Sequence, residues 1–172
     1  VNVHIVAKEE HVPEVERQNR VVKERARAIV QTLPYKRMPR KMRIALIQYV
    51  IFWLNNMPKE GQIYTPKDMI MGKQILDTKH ICKLPFGAYA QVHEDPTVTN
   101  TMEPRTTGGI NLGPSNTQGA HRFLNLSTGE IITRRKWTEL PVPSEVILRL
   151  EEMSKDPNDS VECILNDDIA EI

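Results

Sequence analysis

One change of hydrophobic period, near residue 85, constrains this chain more than any other feature. Before it, apolar residues recur three and four positions apart; after it, they alternate in short runs. The first pattern lines one stripe of a helix and the second lines one side of a strand, so the expected fold class is α+β. Val1 to Lys8 reads as a strand with Val1, Val3, Ile5 and Ala7 on one side. A helix is expected from Pro13, whose fixed φ suits a first turn, to about Leu33, where Pro34 stops it. A short basic connector leads to a second helix, Pro39 to about Asn56, carrying Met42, Leu46, Tyr49, Val50 and Trp53 at helical spacing. A third should run from Thr65-Pro66 to Met71 and stop at Gly72. Phe86 to Val92, Thr106 to Leu112, His121 to Leu126 and Glu130 to Trp137 read as strands, the last two joined at Ser127-Thr128-Gly129, with a loop from Asp95 to Arg105. Short strands packed into about 55 residues fit a small barrel or curled sheet. Ser144 is placed to cap a final helix to about Ser154. The expected division is 1–75 helical, 76–85 connector, 86–141 barrel, 142–155 helix and 156–172 an acidic tail, expected to be mobile.

The 172 residues have room for one ordinary domain or two small ones, which excludes a complete large enzyme. Hydrophobic residues at 40% and charged residues at 26% are ordinary globular composition, and no apolar run reaches the ~18 residues of a membrane span, so no membrane partner is expected. Position 1 is Val, and the alternating start reads as a piece cut from something longer rather than as a signal peptide. Cys82 and Cys163 are too few and too far apart for a disulfide framework or a zinc ribbon, and a reducing compartment is expected. The net charge of +1 conceals a strong polarity: Glu16 to Arg43 holds ten Lys or Arg against two acids, and Glu145 to Glu171 nine acids against two bases. That asymmetry suggests a polyanion contact at one end and a solvated linker at the other.

On the first helix, at about 100° per residue, Arg20, Lys23 and Arg27 fall within roughly 40° of Glu16, well apart from an apolar stripe of Val15, Val22, Ala26, Ile29 and Leu33. Two readings stand side by side. One is a solvated face with i,i+4 pairing worth ~0.3 to 0.5 kcal/mol. The other is a metal-binding carboxylate beside a phosphate track, because Mg²⁺ takes hard oxygen ligands and Arg and Lys match phosphate. Lys36, Arg37, Arg40 and Lys41 would extend the track, serve as a nuclear-import patch or simply confer solubility. Arg134-Arg135-Lys136-Trp137 would touch nucleic acid, or form a strand whose Trp fills the barrel while its charges sit in water. His80, Cys82, His93 and His121 match no zinc module, and Gly108-Gly109 and Gly113 lack the arrangement that cradles phosphates.

The order of residues adds a resemblance. Val12-Pro13-Glu14-Val15-Glu16-Arg17-Gln18-Asn19-Arg20 resembles Asn-Gly-Val-Ala-Glu-Arg-x-Asn-Arg of the integrases of copia-type LTR retrotransposons, in register with the Glu that is the last acid of their DDE triad. Thr65-Pro66-Lys67-Asp68-Met69-Ile70-Met71-Gly72-Lys73 is similar to that family's Thr-Pro-Tyr-Glu-Leu-Trp-x-Gly-Lys, and Pro85-Phe86-Gly87-Ala88-Tyr89 to its Val-Phe-Gly-Cys strand. Gly109-Ile110-Asn111-Leu112-Gly113 stands where the family has Phe-Leu-Gly-Tyr, and Gly119-Ala120-His121-Arg122-Phe123-Leu124-Asn125 resembles Lys-Gly-Tyr-Arg-Leu-Tyr-Asp. Ile131 to Leu140 resembles the closing Val-Ser-Arg-Asp-Val-x-Phe-Asp-Glu.

The resemblance implies the C-terminal end of a ribonuclease-H-like integrase core, one strand and two to three helices, followed by a small Src-homology-type barrel and a helix. It implies DNA strand transfer with Mg²⁺ or Mn²⁺ in the intact protein, with Glu16 as catalytic carboxylate and metal ligand. DNA would be held by Arg20, Lys23, Arg27, Lys36, Arg37, Arg40 and Lys41, and by Arg134, Arg135 and Lys136. Other integrase protomers and the rest of a polyprotein are implied partners, and the nucleus is the implied location. Departures limit this. Only Glu9, Glu10 and Glu14 precede Glu16, no Asp occurs before Asp68, and Val12-Pro13 replaces Asn-Gly. Glu14 lies ~200° around the helix from Glu16, so only one of them can face a site. One carboxylate cannot hold two ions, so the chain alone is expected to be inactive and to bind no metal tightly. A non-catalytic nucleic-acid- or protein-binding module and a decayed copy without function are the alternatives. Leu124, Ile131 and Trp137 are expected to be buried, the helical and β units to touch little across the polar Lys73 to Pro85 connector, and Val1 to Ala7 to leave an exposed edge.

Overall fold

The computed structural model describes residues 13–72, 81–93, 104–115 and 119–155. In chain order they form helices α1 (Pro13–Thr32), α2 (Arg40–Asn56) and α3 (Pro66–Met71), then strands β1 (Tyr89–His93), β2 (Thr106–Pro114), β3 (His121–Asn125), β4 (Ile131–Arg134) and β5 (Trp137–Glu139), then helix α4 (Ser144–Met153). The expected strand at Val1 to Lys8, with its exposed edge, lies outside the described residues, as do 73–80 of the connector, most of the Asp95 to Arg105 loop and the 156–172 tail.

Local chemistry explains the helix ends. Glu14 and Glu16 in the first turn of α1 oppose the positive end of its dipole. Pro39, at φ −57° and ψ 151°, starts α2 without a side-chain cap, and Met57 ends it in extended backbone before Pro58. Thr65 and Asp68 close a reciprocal cap on α3: the Asp68 amide donates to Thr65 Oγ1 at 3.0 Å and the Thr65 amide to Asp68 Oδ2 at 3.2 Å. Gly72, at φ 78°, stops that helix as expected. The expected Ser144 cap is corrected. Pro143 is the capping residue, without a side-chain bond, because its ring already holds the extended backbone a helix start needs and its carbonyl accepts the Val146 amide.

The strands form one antiparallel sheet in the order β4-β3-β2-β1-β5. The expected barrel is therefore corrected to an open five-stranded sheet. The strand expected from Glu130 to Trp137 breaks at Arg135-Lys136, because its first half pairs with β3 at one edge and its second half with β1 at the other. A link of two residues spans at most ~11 Å, so the sheet curls until its edges approach at this corner without joining a ladder. The strand expected from Phe86 begins at Tyr89, and Phe86 and Gly87 instead occupy a turn.

Alternation puts a different core on each side of the curl. On one side Tyr89, Ile110, Leu112, Leu124 and Leu126 join Ala26, Tyr35, Met42, Leu46 and Val50 from the helical half and Val146 and Leu150 from α4. On the other, Leu84, Ala90, Val92 and Phe123 form a smaller cluster closed by Ile132 and Trp137. The expectation that the helical and β units touch little is thus corrected. Met42, Ala45, Leu46 and Val50 of α2 supply the apolar face that makes the shared core.

Two polar contacts give its direction: Lys41 Nζ donates to the Gly129 carbonyl at 2.8 Å, and Arg122 Nη1 to Gln48 Oε1 at 2.8 Å. Seven residues of helix cover ~10 Å, so α2 runs back along β3. Glycine makes the approach possible at Gly113, φ 105°, where a Cβ would fall 2.5 Å from Tyr49 Cδ2. Leu124 is buried as expected, whereas Ile131 is 44% exposed, because on the edge strand β4 it is Ile132 that turns inward. Trp137 is half-buried, its ring 4.6 Å from that of His121 and 5.6 Å from that of Phe123. Val15, expected on the core face of α1, is 55% exposed, its neighbours in the first two turns of the helix are exposed too, and the apolar face of α1 reaches the core only from Val22 onward.

Candidate nucleic-acid interface

On α1 the polar and apolar sides separate as the spacing predicts. Ala26 is buried, Val22 and Ile29 pack against the core, and Glu16, Arg20 and Lys23 are exposed, while Arg27 is half-buried. Arg20 Nε donates to Glu24 Oε1 at 2.9 Å, an exposed i,i+4 pair that holds this guanidinium along the helix. The solvated-face reading therefore describes part of the stripe.

The turn into α2 is more sharply organised. Tyr35, Met38 and Pro39 are buried, and Lys36, Arg37, Arg40 and Lys41 between and after them are exposed. Apolar anchors thus fix the backbone while successive pairs of cations face water. The Tyr35 hydroxyl donates to the Gly87 carbonyl at 3.2 Å, and burial pushes its pKa well above the usual phenol range, so it serves packing rather than proton transfer. No acid occupies the first turn of α2, so its dipole and its cations add to the same positive potential.

Arg135 and Lys136 are exposed at the corner between β4 and β5, and Arg134 is half-buried with Nη1 donating to the Thr133 carbonyl at 3.0 Å. Arg134 pairs in register with His121, whereas Lys41 sits at Gly129, the opposite end of the β3–β4 hairpin. The sheet cations and the α2 cations are therefore ~15 Å apart along the hairpin. Arg122 is the basic residue that sequence reading left out of the interface. It lies between the two groups on the α2 side, yet a lone cation in an apolar strand carries no local signal of a helix across from it.

Among the described residues, no three His, Cys, Asp or Glu side chains gather as a metal site, and no step is assigned through a metal ion. His121 is buried in the sheet, with Nδ1 3.0 Å from Asn111 Oδ1, while His93 and Cys82 are exposed and His80 lies outside the described residues. Among the described residues no helix is long and apolar enough to cross a membrane. No protein-family model matches the sequence, and no curated protein matches it.

Proposed function

We propose that this chain is a C-terminal piece of a copia-type retrotransposon integrase, in which the α1 stripe and the α2 start hold DNA and Glu16 contributes the last catalytic carboxylate of the intact protein. The observation that carries the reading is the exposed run Lys36, Arg37, Arg40 and Lys41, set on buried anchors at a helix start that has no acid. Cations gathered in this way suit the charge of a phosphate backbone. Glu16 shares the outward side of the preceding helix with Arg20 and Lys23. The order of the matched motifs supports the family, and nuclear action and assembly with other protomers belong to the same proposal.

Binding should be sequence-tolerant and strongly dependent on salt. If about five of the cations contact phosphates, log K against log salt should slope at roughly −4 to −5 for a labelled duplex, and changing Arg20, Lys23 and Arg27 together to Gln should flatten that slope by ~2 to 3. A flat response in the parent chain overturns the DNA reading.

A second reading is a binding module that performs no chemistry, favoured by the apolar core that α1, α2 and α4 share with the sheet. The chain alone is expected to join no DNA ends under Mg²⁺ or Mn²⁺, and joining that Glu16→Gln abolishes would contradict this. Within an intact integrase the same substitution should remove catalysis and leave DNA affinity unchanged. Loss of neither would favour the module.

A further inference from the structure

We infer that residues 156–172 dock on the basic start and exposed side of α2 and, given the DNA-binding reading above, compete there with nucleic acid. The chain leaves α4 beside the β3–β4 turn. A Cβ at Gly129 would lie 3.3 Å from Met153 Cε, so the last residue of α4 packs on the β3–β4 turn. The carbonyl of the same Gly129 accepts the Lys41 ammonium at 2.8 Å. The exit of the described chain and the basic start of α2 therefore meet at one residue, and Lys155 lies on the order of 15 Å from Lys41.

Charge matches across that meeting point. Residues 156–172 hold Asp156, Asp159, Glu162, Asp167, Asp168 and Glu171, with no Lys or Arg. Opposite them are the exposed Lys36, Arg37, Arg40 and Lys41. Apolar character matches as well. Beyond its cations α2 exposes Ile44 and Ile51, 49% and 42% accessible and two turns apart, and the acidic segment interleaves Val161, Ile164, Leu165 and Ile169 among its carboxylates. Seventeen residues reach up to ~55 Å, whereas Arg40 to Ile51 covers only ~17 Å of helix, so the segment can span the whole surface. Each exposed ion pair is weak, but a tether of this length gives an effective concentration near the millimolar range, which turns weak pairing into appreciable occupancy.

Two measurements decide it. The first uses the full chain with Cys82→Ser and a spin label on Cys163. At ~50 mM salt the label should broaden the amide signals of Lys36 to Ile44, and at ~1 M salt, where the Debye length is about 3 Å, it should not. The second compares duplex affinity of the full chain with that of a chain ending at Lys155. At ~50 mM salt the shorter chain should bind about five- to tenfold tighter, and the two should converge as salt rises. Absent broadening overturns the docking whatever the DNA result, and broadening that grows with protein concentration overturns it in favour of contact between copies. Equal affinities with broadening present overturn the competition alone. Broadening in a chain that binds no DNA in either form keeps the docking and removes the DNA-binding reading.

Discussion

Asn111→Ala is expected to lower the free energy of unfolding by about 3 to 5 kcal/mol in urea titrations, a large fraction of the stability of an ordinary domain. Asn111 is fully buried and its amide links three separate pieces of chain. Nδ2 donates to the Leu84 and Pro85 carbonyls, both at 2.9 Å, while Oδ1 accepts the Gly113 amide at 3.2 Å and faces His121 Nδ1 at 3.0 Å. Because Nδ2 is the donor on one side, Oδ1 must be the acceptor on the other, which makes His121 Nδ1 the protonated nitrogen of that bond. Alanine removes all four bonds and leaves their partners in a site with little water, where each unsatisfied group costs about 1 to 3 kcal/mol. Asn111→Asp would set a carboxylate oxygen against the Leu84 and Pro85 carbonyls in a buried site, so at neutral pH it should cost at least as much as alanine. Ile44→Ala, on the exposed side of α2, should cost less than about 1 kcal/mol. An Asn111→Ala variant within 1 kcal/mol of the parent would show that the network contributes little to stability.

Leu46→Ala should destabilise both halves of the molecule together, by about 2 to 4 kcal/mol. Leu46 is buried at the centre of the core that α2 shares with β2, β3 and α4. The two tryptophans supply separate reporters, Trp53 on α2 and Trp137 on β5. Single-tryptophan variants, Trp53→Phe and Trp137→Phe, should give coincident denaturation curves, and Leu46→Ala should move both by the same amount. If Leu46→Ala shifts the Trp53 curve and leaves Trp137 in place, helices and sheet are independent units and the common core is wrong.

The candidate interface was legible in sequence to different degrees. Lys36, Arg37, Arg40 and Lys41 could be named from charge alone, since four cations around Pro39 must find water wherever the chain folds. Their presentation in pairs could not, because it depends on Tyr35 and Met38 reaching a core completed by residues more than fifty positions away. Arg20 was legible as an exposed cation, but its bond to Glu24 rather than a free position on the stripe is a choice among rotamers. The place of Arg122 opposite Gln48 was invisible, since their 74 positions of separation leave no periodic trace. Asn111 did carry a signal, a lone polar residue between Ile110 and Leu112 in a strand, and that pattern calls for buried hydrogen-bond partners without saying where they are.

By itself the sequence determined the elements whose causes lie within a few residues. Pro13 and Pro34 bound the first helix, Thr65, Asp68 and Gly72 bound the third, and the change from helical to alternating period sets helices before strands. Tertiary structure alone decided the order β4-β3-β2-β1-β5, the break at Arg135-Lys136 and the burial of the sheet against α2. The physical reason is that capping and periodicity act through neighbouring backbone groups, which sequence displays directly. Strand order and shared cores are settled instead by which distant apolar faces bury each other most completely, and a face with suitable periodicity is compatible with several partners until the whole chain is packed.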